Sequence, residues 1–221
     1  MDYFKLITNY RSVNNKKYTN LKNKIKNNVS GRICHHKVSI LNSIIELFDI
    51  ERYLEIGTHN GASMSYIVAQ NKSIKCIGVD LFGEDDSDSN FDATIQHGKY
   101  IRDGLKVDRT FKNISSSNIG NSKIKLIKGN SQKKETIDKV LKELDGMLID
   151  LLFIDGDHTF NGVSNDFKNY EKLVKPGGFI VLDDYNPAWP GIVDFVDNYL
   201  DRDKFGVLGV FDNNELIMIK K

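Results

Sequence analysis

The sequence is poor in cysteine and has no long apolar run, and each shortage excludes a class of protein. Two cysteines, Cys34 and Cys76, occur among 221 residues. They lie far apart, and Cys76 falls inside a predicted buried strand, so we expect reduced thiols rather than a disulfide. No apolar stretch approaches the 18 residues or so of a membrane span, and no secretory h-region is visible. We therefore expect a soluble protein in a cytoplasmic compartment, with no membrane partner.

A large excess of charge is also missing. The 31 Lys and Arg residues nearly balance the 30 Asp and Glu residues, and the net charge of +1 gives no general attraction to nucleic acid or membrane. Nine basic residues nevertheless fall between Lys5 and Lys37, and Asp2 is the only acid before them. We expect residues 1–36 to form a basic N-terminal extension, either a solvated arm or a lid that grips an anionic substrate, ahead of a domain over 37–221.

Apolar residues alternate between helical and strand spacing along the rest of the chain. A helix over 38–48 is predicted ahead of the first strand. The predicted strands are 52–56, 74–79, 124–128, 149–154 and 179–183, and the predicted helices lie near 61–70, 91–104, 132–144, 161–173 and 189–200. The strands are apolar on both faces, which is typical of a parallel sheet covered by helices on both sides.

This alternation stops at the end of the chain. Two further strands, Phe205–Phe211 and Glu215–Lys220, leave no room for a helix between them. The residues that join them, Asp212-Asn-Asn214, form turns readily because Asn tolerates a positive φ. The sheet is therefore predicted to end in an antiparallel hairpin.

A glycine turn follows the first predicted strand. The segment Tyr53-Leu-Glu-Ile-Gly-Thr-His-Asn-Gly-Ala-Ser63 reads as a strand, a nucleotide-binding turn and a helix start. Its E-x-G-x-x-x-G spacing differs from the dinucleotide pattern, and the acid Glu55 favours a cationic, amino-acid-bearing ligand over a phosphate. Asp80 ends the second strand, roughly 20 residues further on, where a carboxylate can accept the hydroxyls of a ribose.

Acidic residues end two further strands of the predicted sheet. Asp155-Gly-Asp157-His158 follows the fourth strand, and Asp183-Asp184-Tyr185 follows the fifth. Three converging carboxylates would repel one another unless a cation joined them, and carboxylate oxygens suit Mg²⁺. A histidine, whose ordinary pKa is near 6.5, can accept a proton near neutral pH. The sequence leaves open whether Asp157 orients His158 or replaces Asp155 as a ligand.

These segments together resemble the class I S-adenosylmethionine-dependent methyltransferases, whose sheet closes with a hairpin that ordinary dinucleotide domains lack. The resemblance covers roughly residues 37–221 and is greatest to the metal-dependent O-methyltransferases of the macrolide-sugar and catechol types. It implies an α/β, Rossmann-like fold with a mostly parallel, seven-stranded sheet and helices on both faces. It also implies S-adenosylmethionine and Mg²⁺, or another divalent cation, as cofactors.

The resemblance assigns a role to each candidate site residue. The implied cofactor-binding residues are Glu55, Gly57, Thr58, Gly61, Ser63, Asp80, Asn130 and Asp155. Asn130 stands where the family has an acid that contacts the adenine, and an amide can still donate and accept there. The implied metal ligands are Asp155, Asp183 and Asp184, and the implied catalytic residues are His158, as the base, and Asp155. The expected acceptor is the hydroxyl of a small molecule, a sugar or glycoside first and a phenol or catechol second.

Two other functions remain as alternatives, namely a binding module without turnover and a nucleic-acid methyltransferase that uses the basic extension. The strand-end acids and His158 argue against the first. The absence of a convincing Lys-Asp-Lys-Glu set argues against the second, so nucleic acid is an unlikely partner, and a homodimer is left open.

Asn186-Pro-Ala-Trp189 follows the fifth strand rather than the fourth, so we interpret it as a loop and not as the signature of amino-group methyltransferases. The acidic run 84–88 is interpreted as a solvated loop.

Overall fold

Seven strands form one mixed sheet in the computed structural model, which describes residues 1–27, 29, 35–70, 72–83 and 106–221, without the side chains of 35–37. The strands are β1 Arg52–Ile56, β2 Lys75–Asp80, β3 Lys123–Lys128, β4 Ile149–Ile154, β5 Val174–Leu182, β6 Phe205–Phe211 and β7 Glu215–Lys220. Their order is β3-β2-β1-β4-β5-β7-β6, and β7 runs antiparallel to both of its neighbours. The predicted fold class and the closing hairpin are confirmed.

The chain changes direction across the sheet between β1 and β4. It runs outward from β1 through β2 to β3 and then returns to place β4 on the other side of β1. Both strands are parallel to each other and to their outer neighbours, β2 and β5. The carboxyl ends of β1 and β4 therefore border the crevice in which α/β sheets bind ligands.

Helices flank the sheet in the described residues. They are α1 Tyr3–Val13, α2 Asn15–Ile25, α3 His35–Leu47, α4 Ala62–Val68, α5 Val107–Ser115, α6 Lys134–Leu144, α7 Phe160–Tyr170 and α8 Pro190–Asp194, with a 3₁₀ turn at Glu171–Leu173 and a π-helical turn at Phe195–Tyr199. The predicted helix at 91–104 and the acidic run 84–88 lie outside the described residues. None of the described helices combines the length and the apolar character that crossing a bilayer requires.

Apolar side chains fill both faces of the sheet. On one face Leu54 and Leu152 pack with Phe167 of α7. On the other face Tyr53 and Leu151 pack with residues of α3 and α4. Neighbouring residues of one strand thus enter opposite clusters, as the alternation of side chains along a strand requires. This burial on both faces holds the strand ends, and the residues that follow them, in fixed positions.

The N-terminal extension is folded onto the domain over most of its length. Ile7, Tyr18 and Ile25 are buried, and the Glu46 carboxylate of α3 accepts a hydrogen bond from the Tyr10 hydroxyl at 3.0 Å. α1 and α2 were not predicted from the sequence, because isolated apolar residues among many lysines and asparagines show no clear period. The boundary at residue 36 and the role of a lid stay predictions.

Candidate active site at the strand ends

The glycine turn after β1 lies directly against the end of β4. Gly57 and Gly61 have φ angles of +90° and +80°, which favour glycine. A Cβ on Gly57 would lie 1.8 Å from the Asp155 carbonyl oxygen, and the Asp155 amide donates to the Ile56 carbonyl at 2.8 Å. The turn and Asp155 are therefore in backbone contact, as a shared ligand site requires.

Glu55 lies beneath this turn rather than on its surface. Its side chain is fully buried and accepts hydrogen bonds from the Ser63 hydroxyl and from the Tyr53 hydroxyl at 3.2 Å. Burial, reinforced by the Glu55 charge, holds the pKa of the Tyr53 hydroxyl well above its usual range. The buried hydroxyl of Thr58 has no hydrogen-bond partner among the described residues. Glu55 thus ties the turn to the start of α4, and Thr58 keeps an unused polar group in the turn.

Asp80 reaches the same turn from the end of β2. Its two carboxylate oxygens accept from the backbone amides of His59 at 2.7 Å and Phe82 at 2.8 Å. Each carboxylate oxygen has a second lone pair, so the group can still accept from ribose hydroxyls. The structure brings Asp80 to the glycine turn, where it caps the loop.

If Asp80 binds the ribose, as the resemblance implies, replacing it by alanine should weaken the binding of S-adenosylhomocysteine by roughly 1.5–3 kcal/mol, because charged hydrogen bonds are lost. Calorimetry measures this change. Asp80→Asn is the matched control for the loop contacts, since its amide oxygen can still accept from one of the two backbone amides, His59 or Phe82. An affinity that is unchanged in Asp80→Ala would show that Asp80 only caps the loop.

Two carboxylates and an imidazole meet where β4 and β5 end. Asp155, His158 and Asp184 each offer one ligand atom, and these three atoms lie within 4.8 Å of one another. His158 Nε2 is 3.1 Å from Asp184 Oδ2 and 4.0 Å from Asp155 Oδ1. Their side chains keep between 13% and 26% of their surface exposed, so the group faces the outside of the fold. We call Asp155, His158 and Asp184 the strand-end group.

Asp183 lies outside the strand-end group. Its side chain is buried and accepts a hydrogen bond from Asn214 Nδ2 at 2.9 Å. The same Asn214 nitrogen lies 3.2 Å from the Glu215 carboxylate at the start of β7. Asp184 has a φ of +58°, and its carboxylate joins the strand-end group while Asp183 contacts the hairpin. The ligand role predicted for Asp183 therefore has no support from this geometry and stays a prediction.

Asp157 is likewise not a member of the strand-end group. Its Oδ1 accepts from the Thr159 amide at 2.9 Å, and a Cβ on Gly162 would lie 2.2 Å from its carboxylate carbon. The Thr159 hydroxyl in turn caps α7 by accepting from the Gly162 amide at 3.0 Å. These contacts give Asp157 a place at the start of α7 and favour Asp155 as the acid of the site.

Trp189 covers one face of the His158 ring. The two ring centroids are 4.2 Å apart, and the planes differ by 23°. The chain just after Trp189 packs closely against the start of α7. A Cβ on Gly191 would lie 2.5 Å from the Phe160 amide nitrogen. From the sequence, Trp189 was predicted to lie in a loop without a role. Its one distinguishing feature there is that it is the single tryptophan of the chain.

The segment after β3 contacts a buried acid of α7, Asp166, that was not predicted from the sequence. Asn130 is buried, and its Oδ1 accepts from the Gln132 amide at 2.8 Å. The Ser131 hydroxyl donates to Asp166 Oδ1 of α7 at 2.6 Å, whereas Asp166 Oδ2 has no partner among the described residues. Burial raises the pKa of Asp166 from 3.8 to about 7. The loop that follows β3 thus rests on a carboxyl group that is neutral below about pH 7.

Asp166 should make the protein less stable as the pH rises. Its pKa is higher in the folded protein than in the unfolded chain, so folding binds a proton between about pH 4 and 7 and stability falls across that window. In Asp166→Asn this part of the pH dependence should disappear. Between pH 5 and 8 the free energy of unfolding of the wild type should fall by roughly 2–3 kcal/mol more than that of Asp166→Asn. Urea unfolding at the two pH values measures the difference, and parallel losses in both proteins would contradict the assignment.

A sheet of this topology with a glycine turn after β1 is typical of nucleotide-binding α/β proteins. Comparison with known proteins identifies the family. A family model described as a methyltransferase domain matches residues 54–185, more than half of the chain, so the protein belongs to this family. A relative from Acanthamoeba polyphaga mimivirus, named "Uncharacterized protein R132", is 36% identical over 206 residues and covers 86% of this chain and 82% of its own length.

Solved structures share the fold at low sequence identity. An O-methyltransferase from Bacillus cereus, in complex with SAH, has a TM-score of 0.62 and 16% identity, covering 97% of this chain and 100% of its own. The O-methyltransferase TomG from Streptomyces achromogenes, in complex with SAM, has a TM-score of 0.57 and 13% identity, covering 86% and 82%. The predictions of a class I, S-adenosylmethionine-dependent methyltransferase and of its fold are confirmed.

Proposed function

We propose that the protein transfers the methyl group of S-adenosylmethionine to a hydroxyl of a small acceptor, with a divalent cation at the strand-end group. The observation that carries this proposal is the meeting of Asp155, His158 and Asp184 beside the glycine turn. Carboxylates and imidazole are common ligands of divalent cations. Three ligand atoms within 4.8 Å of one another are close enough together to hold one cation.

The arrangement suits an in-line displacement. The nucleophile must lie within about 3–3.5 Å of the methyl carbon, in line with the leaving sulfur. Because Asp155 touches Gly57, a cofactor seated on the turn and an acceptor seated on the strand-end group would meet at Asp155. A divalent cation, when bound, lowers the pKa of an acceptor hydroxyl and orients it. Asp80 and Asn130 would hold the ribose and adenine ends of the cofactor.

The proton of the acceptor hydroxyl needs a base, and the sequence analysis gives this role to His158. Its Nε2 faces the carboxylates of Asp155 and Asp184. The nitrogen can therefore either take the proton of a hydroxyl held at the strand-end group or bind the cation directly. Asp157 is the weaker alternative, because its carboxylate already caps the segment that leads into α7.

A sugar or glycoside remains the first choice of acceptor, and a phenol or catechol the second. Trp189 stacks on the ring of His158 and thereby borders the strand-end group. Aromatic side chains of this kind combine apolar area with a polar edge, which suits a ring-shaped acceptor carrying hydroxyls. Structural neighbours that are named O-methyltransferases support oxygen over nitrogen as the atom methylated. We retain nucleic acid as an unlikely partner and the cytoplasm as the expected compartment.

Methyl transfer from labelled S-adenosylmethionine to a panel of acceptors tests the proposal. The panel should hold hexose glycosides, catechols, simple phenols, a primary amine and a short RNA, each offered with Mg²⁺ or Mn²⁺. We expect label in the glycosides, and label in the phenols would select the second choice. Label confined to the amine or the RNA would contradict the proposed function.

A further inference from the structure

We infer that His158 is itself a ligand of the cation, in the place that the sequence analysis gave to Asp183. The site should therefore prefer cations that accept a nitrogen ligand, such as Co²⁺, to Mg²⁺. This inference rests on the proposed function only in taking the strand-end group as a cation site. It concerns the identity of the third protein ligand and the kind of cation that the site selects.

The distances within the strand-end group fit a shared cation. Two neighbouring ligands of an octahedral ion at about 2.1 Å lie about 3.0 Å apart. His158 Nε2 and Asp184 Oδ2 are 3.1 Å apart, close to that spacing. Asp155 Oδ1 lies 4.0 Å from the same nitrogen, so a bound cation would draw these two atoms slightly closer together. One nitrogen and two oxygens thus point into a common volume.

The surroundings of His158 hold the ring in this orientation. Trp189 covers one face at a centroid distance of 4.2 Å, and the side chain is only 13% exposed. The Trp189 segment is in turn fixed, because Asn186 Nδ2 donates to Asn214 Oδ1 at 2.7 Å and the Trp189 amide donates to the Asn186 carbonyl at 3.0 Å. Rings locked by packing and by a supported loop are typical of a preorganised ligand.

Asp183 has a different task in the same geometry. Asp183 is buried, with 1% of its surface exposed, and it accepts a hydrogen bond from the side-chain amide of Asn214. Asn214 also accepts the hydrogen bond from Asn186 that fixes the Trp189 segment. Asp183 is also absent from the set of described residues whose ligand atoms lie within 4.8 Å of one another. We therefore assign Asp183 to positioning the loop that carries Trp189, and not to binding the cation.

The ligand set determines the preference among cations. Imidazole nitrogen suits the later first-row ions, whereas Mg²⁺ prefers oxygen ligands and gains little from a nitrogen. Co²⁺ should therefore bind the wild-type protein more tightly than Mg²⁺, and Mn²⁺ should lie between them. A site made of three carboxylates would show a smaller difference, because all its ligands are hard oxygens.

Calorimetry of the full chain with CoCl₂ and with MgCl₂, without methyl donor or acceptor, tests the inference. His158→Phe keeps a flat ring against Trp189 and removes the nitrogen, so Co²⁺ affinity should fall about 10–100-fold or more while Mg²⁺ affinity changes little. Asp183→Asn is the matched control and should keep the wild-type Co²⁺ affinity, because the new side chain can still accept from Asn214. The emission of Trp189, the only tryptophan, reports both folding and the arrival of Co²⁺.

The outcomes separate this inference from the proposed function. Unchanged Co²⁺ affinity in His158→Phe, or an equal loss in Asp183→Asn, would overturn the inference and restore the three-acid site. If Co²⁺ binds as expected while methyl transfer proceeds in chelator, the ligand assignment stands and the metal-assisted mechanism fails. If no cation binds the wild-type protein, the inference fails, whether or not methyl transfer is observed.

Discussion

Replacing His158 by alanine should slow methyl transfer about 10²–10⁴-fold, the usual contribution of a positioned general base. Loss of a cation ligand acts in the same direction, because fewer protein molecules then carry the cation. S-adenosylhomocysteine affinity should stay close to the wild-type value, since the glycine turn and Asp80 do not touch His158 in the described contacts. Single-turnover kinetics and calorimetry measure the two quantities separately.

The Nε2 of His158 cannot bind the cation and take the proton at the same time, so the ligand role and the base role are alternatives. They respond differently to added cation. A ligand variant should regain part of its rate in excess Mn²⁺, because mass action refills the weakened site. A variant that has lost only its base should gain nothing. A near-normal rate in His158→Ala at low Mn²⁺ would remove His158 from the mechanism, and Asp157 would become the residue to replace next.

Replacing Gly57 by alanine should disrupt the site most severely, with a loss of at least about 3 kcal/mol of folding free energy. Its new Cβ would lie 1.8 Å from the Asp155 carbonyl oxygen, and this neighbour is backbone that cannot rotate away. The β1 turn and the β4 end would have to separate, which would also abolish cofactor binding. Urea unfolding and calorimetry with S-adenosylhomocysteine measure the two effects.

Gly146 supplies the control for that substitution. It has a φ of +75°, similar in sign to that of Gly57, but a Cβ there would meet nothing within 4 Å. Gly146→Ala therefore isolates the cost of backbone strain, about 1 kcal/mol or a little more. Equal losses in the two variants would show that the contact between Gly57 and Asp155 is not what fixes the site.

The strands and the acids that follow them could be predicted because they depend on short-range patterns and on one rule of topology. Apolar runs mark the strands, and parallel strands bring their carboxyl ends to one edge of the sheet. The convergence of Asp155 and Asp184 follows from this rule. The glycine turn could be recognised because its φ values demand glycine.

The different environments of Asp183 and Asp184 could not be predicted from the sequence. It depends on the left-handed φ of Asp184 and on a hydrogen bond from Asn214 in the hairpin. The orientation of His158 likewise depends on Trp189, which belongs to a different loop. Local sequence carries no signal for such contacts, because they are set by packing between distant segments.

Asp166 escaped prediction for a related reason. One acid within an amphipathic helix is usually exposed, and nothing in the sequence marks this one as buried. Its burial follows from the way α7 packs beneath the Ser131 loop, where the serine hydroxyl offers a single hydrogen bond. The contrast with Asp155 shows that strand-end acids can be located from sequence more readily than acids on helices.

The dependence of methyl transfer on a divalent cation tests the central claim most directly. The protein should be stripped with EDTA, and turnover of an accepted glycoside or phenol should then be measured before and after Mn²⁺ or Mg²⁺ is added back. We predict that turnover is lost in chelator and returns with either cation, while S-adenosylhomocysteine still binds throughout. Full turnover in chelator would contradict the account and would leave Asp155, His158 and Asp184 as groups that only orient the acceptor.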